Sequence, residues 1–295
     1  MTHKLFSPAQ LGPLTLQNHL VMAPMTRSRA LGNVPNALMA EYYAQRASAG
    51  LIITEGTSPA PNGLGYARIP GLYSAEHVAG WRLTTDAVHA KGGHIFVQLM
   101  HAGRIGHSLN LPEGAEVVGP SAVAAAGQMW TDQQQMQDHP TPRALSTAEV
   151  KQAVQEFVHS AKLAIEAGFD GVELHAANGY FLEQFLNPGS NQRTDEYGGS
   201  IENRSRFVLE VAAAVAEAIG AERTGIRLSP WGVFNDMAVY EELDATYEYL
   251  AAELQKLNLV YLHLVDHEGM GAPAVPAATV DAIRRHFTNT LILSG

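Results

Sequence analysis

Short apolar or β-branched runs alternate with longer helical patterns along the 295-residue chain, and this alternation limits its fold more than any other feature. Strands separated by helices pair in parallel, since each helix carries the chain back across the sheet, and a sheet covered on both faces reads as continuous apolar runs. Seven strands are predicted, at residues 19–23, 51–55, 94–99, 171–175, 224–229, 259–265 and 291–294. Helical patterns lie at residues 36–48, 76–91, 147–167, 201–219, 243–257 and 280–287, with Gly50, Gly92, Gly168 and Gly220 placed as stops. Ser146 stands three residues before Glu149, the capping-box spacing. No fixed-period repeat and no interdomain linker interrupts the pattern, so residues 1–295 are read as one α/β domain, a TIM (β/α)8 barrel. Residues 102–145, rich in Gly, Pro, Gln and Ala, form an excursion over one barrel face with hairpin pieces, too polar and broken to be a core layer.

Composition removes several classes of function. A net charge of -10, from 19 basic and 29 acidic residues, provides no field for nucleic acid or an anionic membrane surface. With no cysteine there is no disulfide, thiolate nucleophile or iron–sulfur cluster, and a cytoplasmic location fits. The start, Met1-Thr2-His3-Lys4-Leu5-Phe6, has no signal-like apolar core, and no run is long enough to span a bilayer.

Polar residues gather at the carboxyl ends of the predicted strands, where barrel enzymes build their sites. They are Pro24-Met25-Thr26-Arg27, Glu55-Gly56-Thr57, Gln98, His175-Ala176-Ala177-Asn178 and Arg227. The sharpest group is His175-Ala176-Ala177-Asn178-Gly179-Tyr180, which sets two nitrogen donors and a phenol within six residues. Such a trio suits hydride addition to an activated alkene: donors at the carbonyl oxygen stabilise the developing enolate, and a phenol supplies the α-carbon proton. The same residues also suit a plain reading, with His175 a hydrogen-bonded core group and Tyr180 opening a packed helix.

Residues 175–199, His-Ala-Ala-Asn-Gly-Tyr-Phe-Leu-Glu-Gln-Phe-Leu-Asn-Pro-Gly-Ser-Asn-Gln-Arg-Thr-Asp-Glu-Tyr-Gly-Gly, followed by Ser200-Ile201-Glu202-Asn203-Arg204, resemble the old yellow enzyme family of NAD(P)H:flavin oxidoreductases. The segments Ala23-Pro24-Met25-Thr26-Arg27, Glu41-Tyr42-Tyr43-Ala44-Gln45-Arg46-Ala47, Gln98-Leu99-Met100-His101-Ala102-Gly103-Arg104 and Arg227-Leu228-Ser229-Pro230 extend the resemblance in the family's order. It implies an FMN-dependent ene-reductase that takes hydride from NADPH or NADH and acts on enones, with quinones and nitro compounds as further substrates. Flavin contacts would come from Pro24, Met25, Thr26, Gly56, Gln98 and Arg227, with the Arg227 charge stabilising an anionic reduced flavin. His175 and Asn178 would hold the substrate oxygen, Tyr180 would donate the proton, and Tyr66 would wall the pocket.

Met100 stands where many relatives carry Trp, so substrate preference does not transfer. Thr26 and the lack of Cys place the chain with the Thr-bearing branch. The glycine cluster Gly63-Leu64-Gly65 is not a dinucleotide-fold fingerprint, so the nicotinamide is expected to stack on the flavin. His101, His107, His139, His263 and His267 are read as structural or exposed, and no metal is expected. Two competing readings remain: a metal- or Schiff-base-dependent barrel such as an aldolase, for which no predicted strand carries a lysine, and a non-catalytic or split flavin-binding barrel. The seventh predicted strand reaches Ser294, whereas the family continues into an eighth strand and a phosphate-binding loop. A C-terminal segment or second chain completing the barrel is therefore expected.

Overall fold

A computed structural model describes residues 4–295. Seven parallel strands form one sheet in sequence order: β1 (Val21–Met22), β2 (Leu51–Thr57), β3 (Ile95–Leu99), β4 (Gly171–Ala176), β5 (Thr224–Leu228), β6 (Tyr261–Val265) and β7 (Thr290–Ser294). Helices α1 (Ala37–Ala44), α2 (Ala75–His89), α3 (Thr147–Glu166), α4 (Phe181–Leu186), α5 (Ile201–Ile219), α6 (Leu243–Lys256) and α7 (Ala277–His286) connect them. This is the TIM-barrel arrangement, with β1 and β7 as its two edges.

The period of two along each strand separates two cores. Ile52, Val97, Leu99, Val172, Leu174, Ile226, Leu228, Leu262 and Leu264 face the helices and are buried with Phe157, Phe207, Val211 and Leu250. Alternate residues face inward. Leu51, Ile53 and Phe96 close the bottom of the barrel against Leu11 and Leu16 of an N-terminal hairpin, Ala9–Leu11 paired with Leu14–Leu16, with the Tyr261 ring packed over them. Above them lie two polar rows fixed by the register. Gln98, Glu173, Gly225 and Tyr261 make the lower row, and His175, Arg227, His263 and Ile292 the upper. Gly225 is required here, because a Cβ would lie 2.3 Å from the Tyr261 ring that crosses it.

Several predicted boundaries shift for visible reasons. The first strand shrinks to Val21–Met22 because Asn18 Oδ1 accepts from the amides of Leu20 (3.0 Å) and Gly50 (2.9 Å), holding that stretch as a turn. The first helix ends at Ala44, and Asn36 is its N-cap, accepting from Leu38 and Met39. Helix α4 was not predicted; its six residues are all buried, so it carries no amphipathic period. Between β3 and α3 a hairpin does form, Gln128–Thr131 with Gln135–Asp138. That segment is less peripheral than its composition suggests: Ile105, Ala125 and Met129 join Leu64, Ile69, Met100 and Tyr180 in a buried cluster. The expected completing segment or second chain is not supported; the seven strands form a nearly closed, barrel-like sheet whose edges, β1 and β7, flank a cavity of about 750 Å³ that the N-terminal hairpin also lines.

Candidate active site

The carboxyl end of β4 presents His175, buried at 3% exposure and level with Arg227 on β5. Burial, and then the charge of Arg227, hold the His175 imidazole well below its ordinary pKa, so it is neutral at neutral pH. After Ala177 the chain turns through Asn178 at φ 61°, a left-handed conformation uncommon outside glycine. The turn is tied on both sides: the Asn178 amide donates to Ser229 Oγ (2.8 Å) and Asn235 Nδ2 donates to the Asn178 carbonyl (2.8 Å).

Tyr180 then folds back over His175, with ring centroids 5.0 Å apart. Its hydroxyl shares a 2.8 Å hydrogen bond with that of Tyr66, so the two phenols meet although they are far apart in sequence. Burial, and then the nearby Tyr66, push the Tyr180 hydroxyl well above its usual pKa, and it stays protonated at neutral pH. Met100, 1% exposed, lies in the same apolar cluster and occupies the space beside Gly56, where a Cβ would come within 2.4 Å of its Sδ. In this structure Gly56 makes room for Met100.

Below this level the sequence reading missed a network. Glu173 is fully buried and accepts from Gln98 Nε2 (2.8 Å) and Tyr261 OH (3.1 Å), with His263 Nδ1 at 2.8 Å. Burial alone would raise its carboxyl, but His263 and then Arg227 outweigh that and hold it below the usual carboxylate range. His263 also meets Ser294 Oγ at 2.9 Å, which ties β6 to β7. The available signal was strand period: Glu173 lies two residues before His175 and so shares its face. His101, read as structural or exposed, is buried and stacked 4.1 Å from Phe181, and burial lowers its pKa to about 3.

The loop after β1 carries Pro24, half-buried, and Met25, Thr26 and Arg27, exposed. Several buried polar atoms of the site lack a partner among the described residues: Arg227 Nε, His175 Nδ1 and Asn178 Oδ1. Burying unpartnered polar groups is costly, so a cluster of them at a barrel mouth marks where a polar ligand belongs.

The sequence matches the NADH:flavin oxidoreductase / NADH oxidase family over residues 4–292. The chain belongs to this family. It is 46% identical over 279 residues to a chanoclavine-I aldehyde reductase of Penicillium roqueforti, covering 93% of this chain and 73% of that protein. It is 46% identical over 266 residues to a probable flavin mononucleotide-dependent alkene reductase of Leishmania infantum, covering 88% of this chain and 73% of that one. Its fold is similar to that of morphinone reductase in complex with tetrahydroNAD, with a TM-score of 0.92 at 45% identity, covering 100% of this chain and 81% of the other. The old yellow enzyme family thus supplies the chain's class, a flavin-dependent oxidoreductase that works with FMN and a nicotinamide reductant.

Proposed function

We propose that this old yellow enzyme-family protein is an ene-reductase that transfers hydride from NADPH or NADH, through FMN, to the C=C bond of α,β-unsaturated carbonyl compounds. Quinones and nitro compounds are further substrates of the same site. The observation that carries the proposal is the convergence of the unpartnered Arg227, His175 and Asn178 atoms with the Tyr180–Tyr66 phenol pair at one barrel mouth. FMN, when bound, supplies the carrier that accepts a hydride from the nicotinamide and gives it to the alkene β-carbon.

The residues present suit that cofactor. Arg227 brings a permanent charge with a free Nε, Gln98 keeps its Oε1 as an acceptor while Nε2 is held by Glu173, and Thr26 offers an exposed hydroxyl. Pro24 and Met25, in the loop after β1, and Gly56, on β2, are assigned to the flavin's surroundings by the family resemblance. The geometry supports the following part for the protein's own residues. His175 and Asn178 hold the carbonyl oxygen and stabilise the enolate more than the ground state. Neutral His175 gives no proton, so the α-carbon receives it from Tyr180, whose hydroxyl is still protonated at neutral pH; Tyr66 then donates towards the phenolate.

Anaerobic turnover of 2-cyclohexenone by the FMN-loaded protein tests the proposal. Loss of the alkene at the expense of NADPH or NADH is expected. A protein that is reduced by nicotinamide and yet leaves the enone unchanged would be a flavin oxidoreductase of another kind.

A further inference from the structure

Beneath the turn that carries Asn178 and Tyr180 lies a carboxyl group with no part in the chemistry above. Glu183, on α4, is 4% exposed and accepts from three donors: the Gly179 amide (2.6 Å), Ser229 Oγ (2.8 Å) and Tyr247 OH (2.7 Å). Ser229 Oγ is also the acceptor for the Asn178 amide. Two consecutive amides of a turn that contains a left-handed non-glycine residue are therefore anchored on one carboxyl group, Gly179 directly and Asn178 through Ser229. Such a conformation persists only where its surroundings hold it.

The groups facing Glu183 are Tyr247 on α6, Tyr240 in the loop before α6, Ser229 beyond β5 and the Gly179 amide. No cation pairs with it among the described residues; Arg204, over the Tyr240 ring, pairs with Glu242. Burial pushes the Glu183 carboxyl up to about 7, against the opposing pull of Tyr247, Gly179 and Ser229. Every contact it makes is to a donor, so only the ionised form accepts all three bonds in the direction they now run. A proton on Oε1 displaces or reverses the Ser229 or Tyr247 bond, and one on Oε2 displaces the Gly179 amide.

We propose that Glu183 is a positioning residue whose ionised carboxylate locks the 178–180 turn into the oxygen clamp, and whose protonation loosens that clamp. The inference rests on the clamp role assigned above to His175 and Asn178. Because the carboxyl is raised, Glu183 is ionised and the clamp formed above about pH 7, and protonated below it.

The test is binding of nicotinamide to the FMN-loaded protein, followed by the flavin absorbance across about pH 5.5 to 8.5, a range on both sides of the Glu183 transition. Nicotinamide offers an amide oxygen to the clamp and does not itself titrate there. Wild-type affinity is expected to fall threefold or more, roughly, as the pH drops through the transition, and Glu183→Gln to bind with no such dependence. Tyr247→Phe, which removes one donor to the carboxylate, moves the midpoint upward and needs no change at Glu183 itself. A flat wild-type profile, an unaltered profile in Glu183→Gln, or an unmoved midpoint in Tyr247→Phe overturns the inference. The His175→Ala/Asn178→Ala double variant separates the two levels: loss of nicotinamide binding at every pH is expected, and undiminished binding overturns the clamp and this inference together.

Discussion

That His175, Asn178 and Tyr180 gather at the carboxyl end of one strand was legible because chemistry-bearing residue types stand together there in the sequence. Tyr66 was legible only by resemblance, because its partner Tyr180 lies on a distant segment and spacing gives no hint of their shared hydrogen bond. The proposed oxygen clamp of His175 and Asn178 carries a prediction of its own. Loss of one oxyanion donor costs about 3 kcal/mol, so the His175→Ala/Asn178→Ala variant is expected to reduce enones a hundredfold or more slowly, roughly, with its melting transition largely retained. Unchanged turnover of 2-cyclohexenone would place the oxygen site elsewhere. Gly56 makes a second prediction at this scale. Its Cβ would lie 2.4 Å from Met100 Sδ, so Gly56→Ala is expected to destabilise the protein by about 1–3 kcal/mol in urea denaturation. Met100→Ala in the same background should recover part of that loss; strict additivity of the two changes would show that the glycine answers to something other than Met100.

Among the elements, the amphipathic helices and the central strands were readable from period, and the ones that resisted were those without it. Helix α4 is buried all round and β1 is two residues long, so neither presents an alternating pattern. Helix α3 is the opposite case. Ser146 Oγ accepts from the Glu149 amide and the Glu149 carboxylate accepts from the Ser146 amide, completing the capping box that the sequence announced. Ser146→Ala should therefore cost about 1 kcal/mol at neutral pH. Arg143 first, and then Ser146, hold the exposed Glu149 carboxyl at about 2 against an ordinary value of 4.5. Its contribution is complete above the ordinary value and is lost as the pH falls from there towards 2. The stability difference between wild type and Ser146→Ala is thus expected to narrow on acidification, and a difference that stays constant down to acid pH would remove Glu149 from the cap.

At the scale of the whole molecule, the alternation of strands and helices was enough to give a parallel barrel, while one network in its interior was not foreseen. The Glu173, Tyr261 and His263 network joins strands far apart in the chain, and each of these residues taken alone reads as an ordinary buried group. The chain belongs to a family of FMN-dependent oxidoreductases, so purified protein is expected to be yellow and to release FMN, not FAD, on heating. One mouth is expected to perform two separable half-reactions, of which the Tyr180 phenol serves only the second. Anaerobic rapid mixing of Tyr180→Phe tests it directly, with flavin reduction by NADPH and reoxidation by 2-cyclohexenone measured apart. The account predicts nicotinamide reduction close to the wild-type rate and enone-driven reoxidation slower by roughly a hundredfold or more, the range for a lost general acid. Collapse of flavin reduction, with reoxidation of prereduced enzyme preserved, would contradict it.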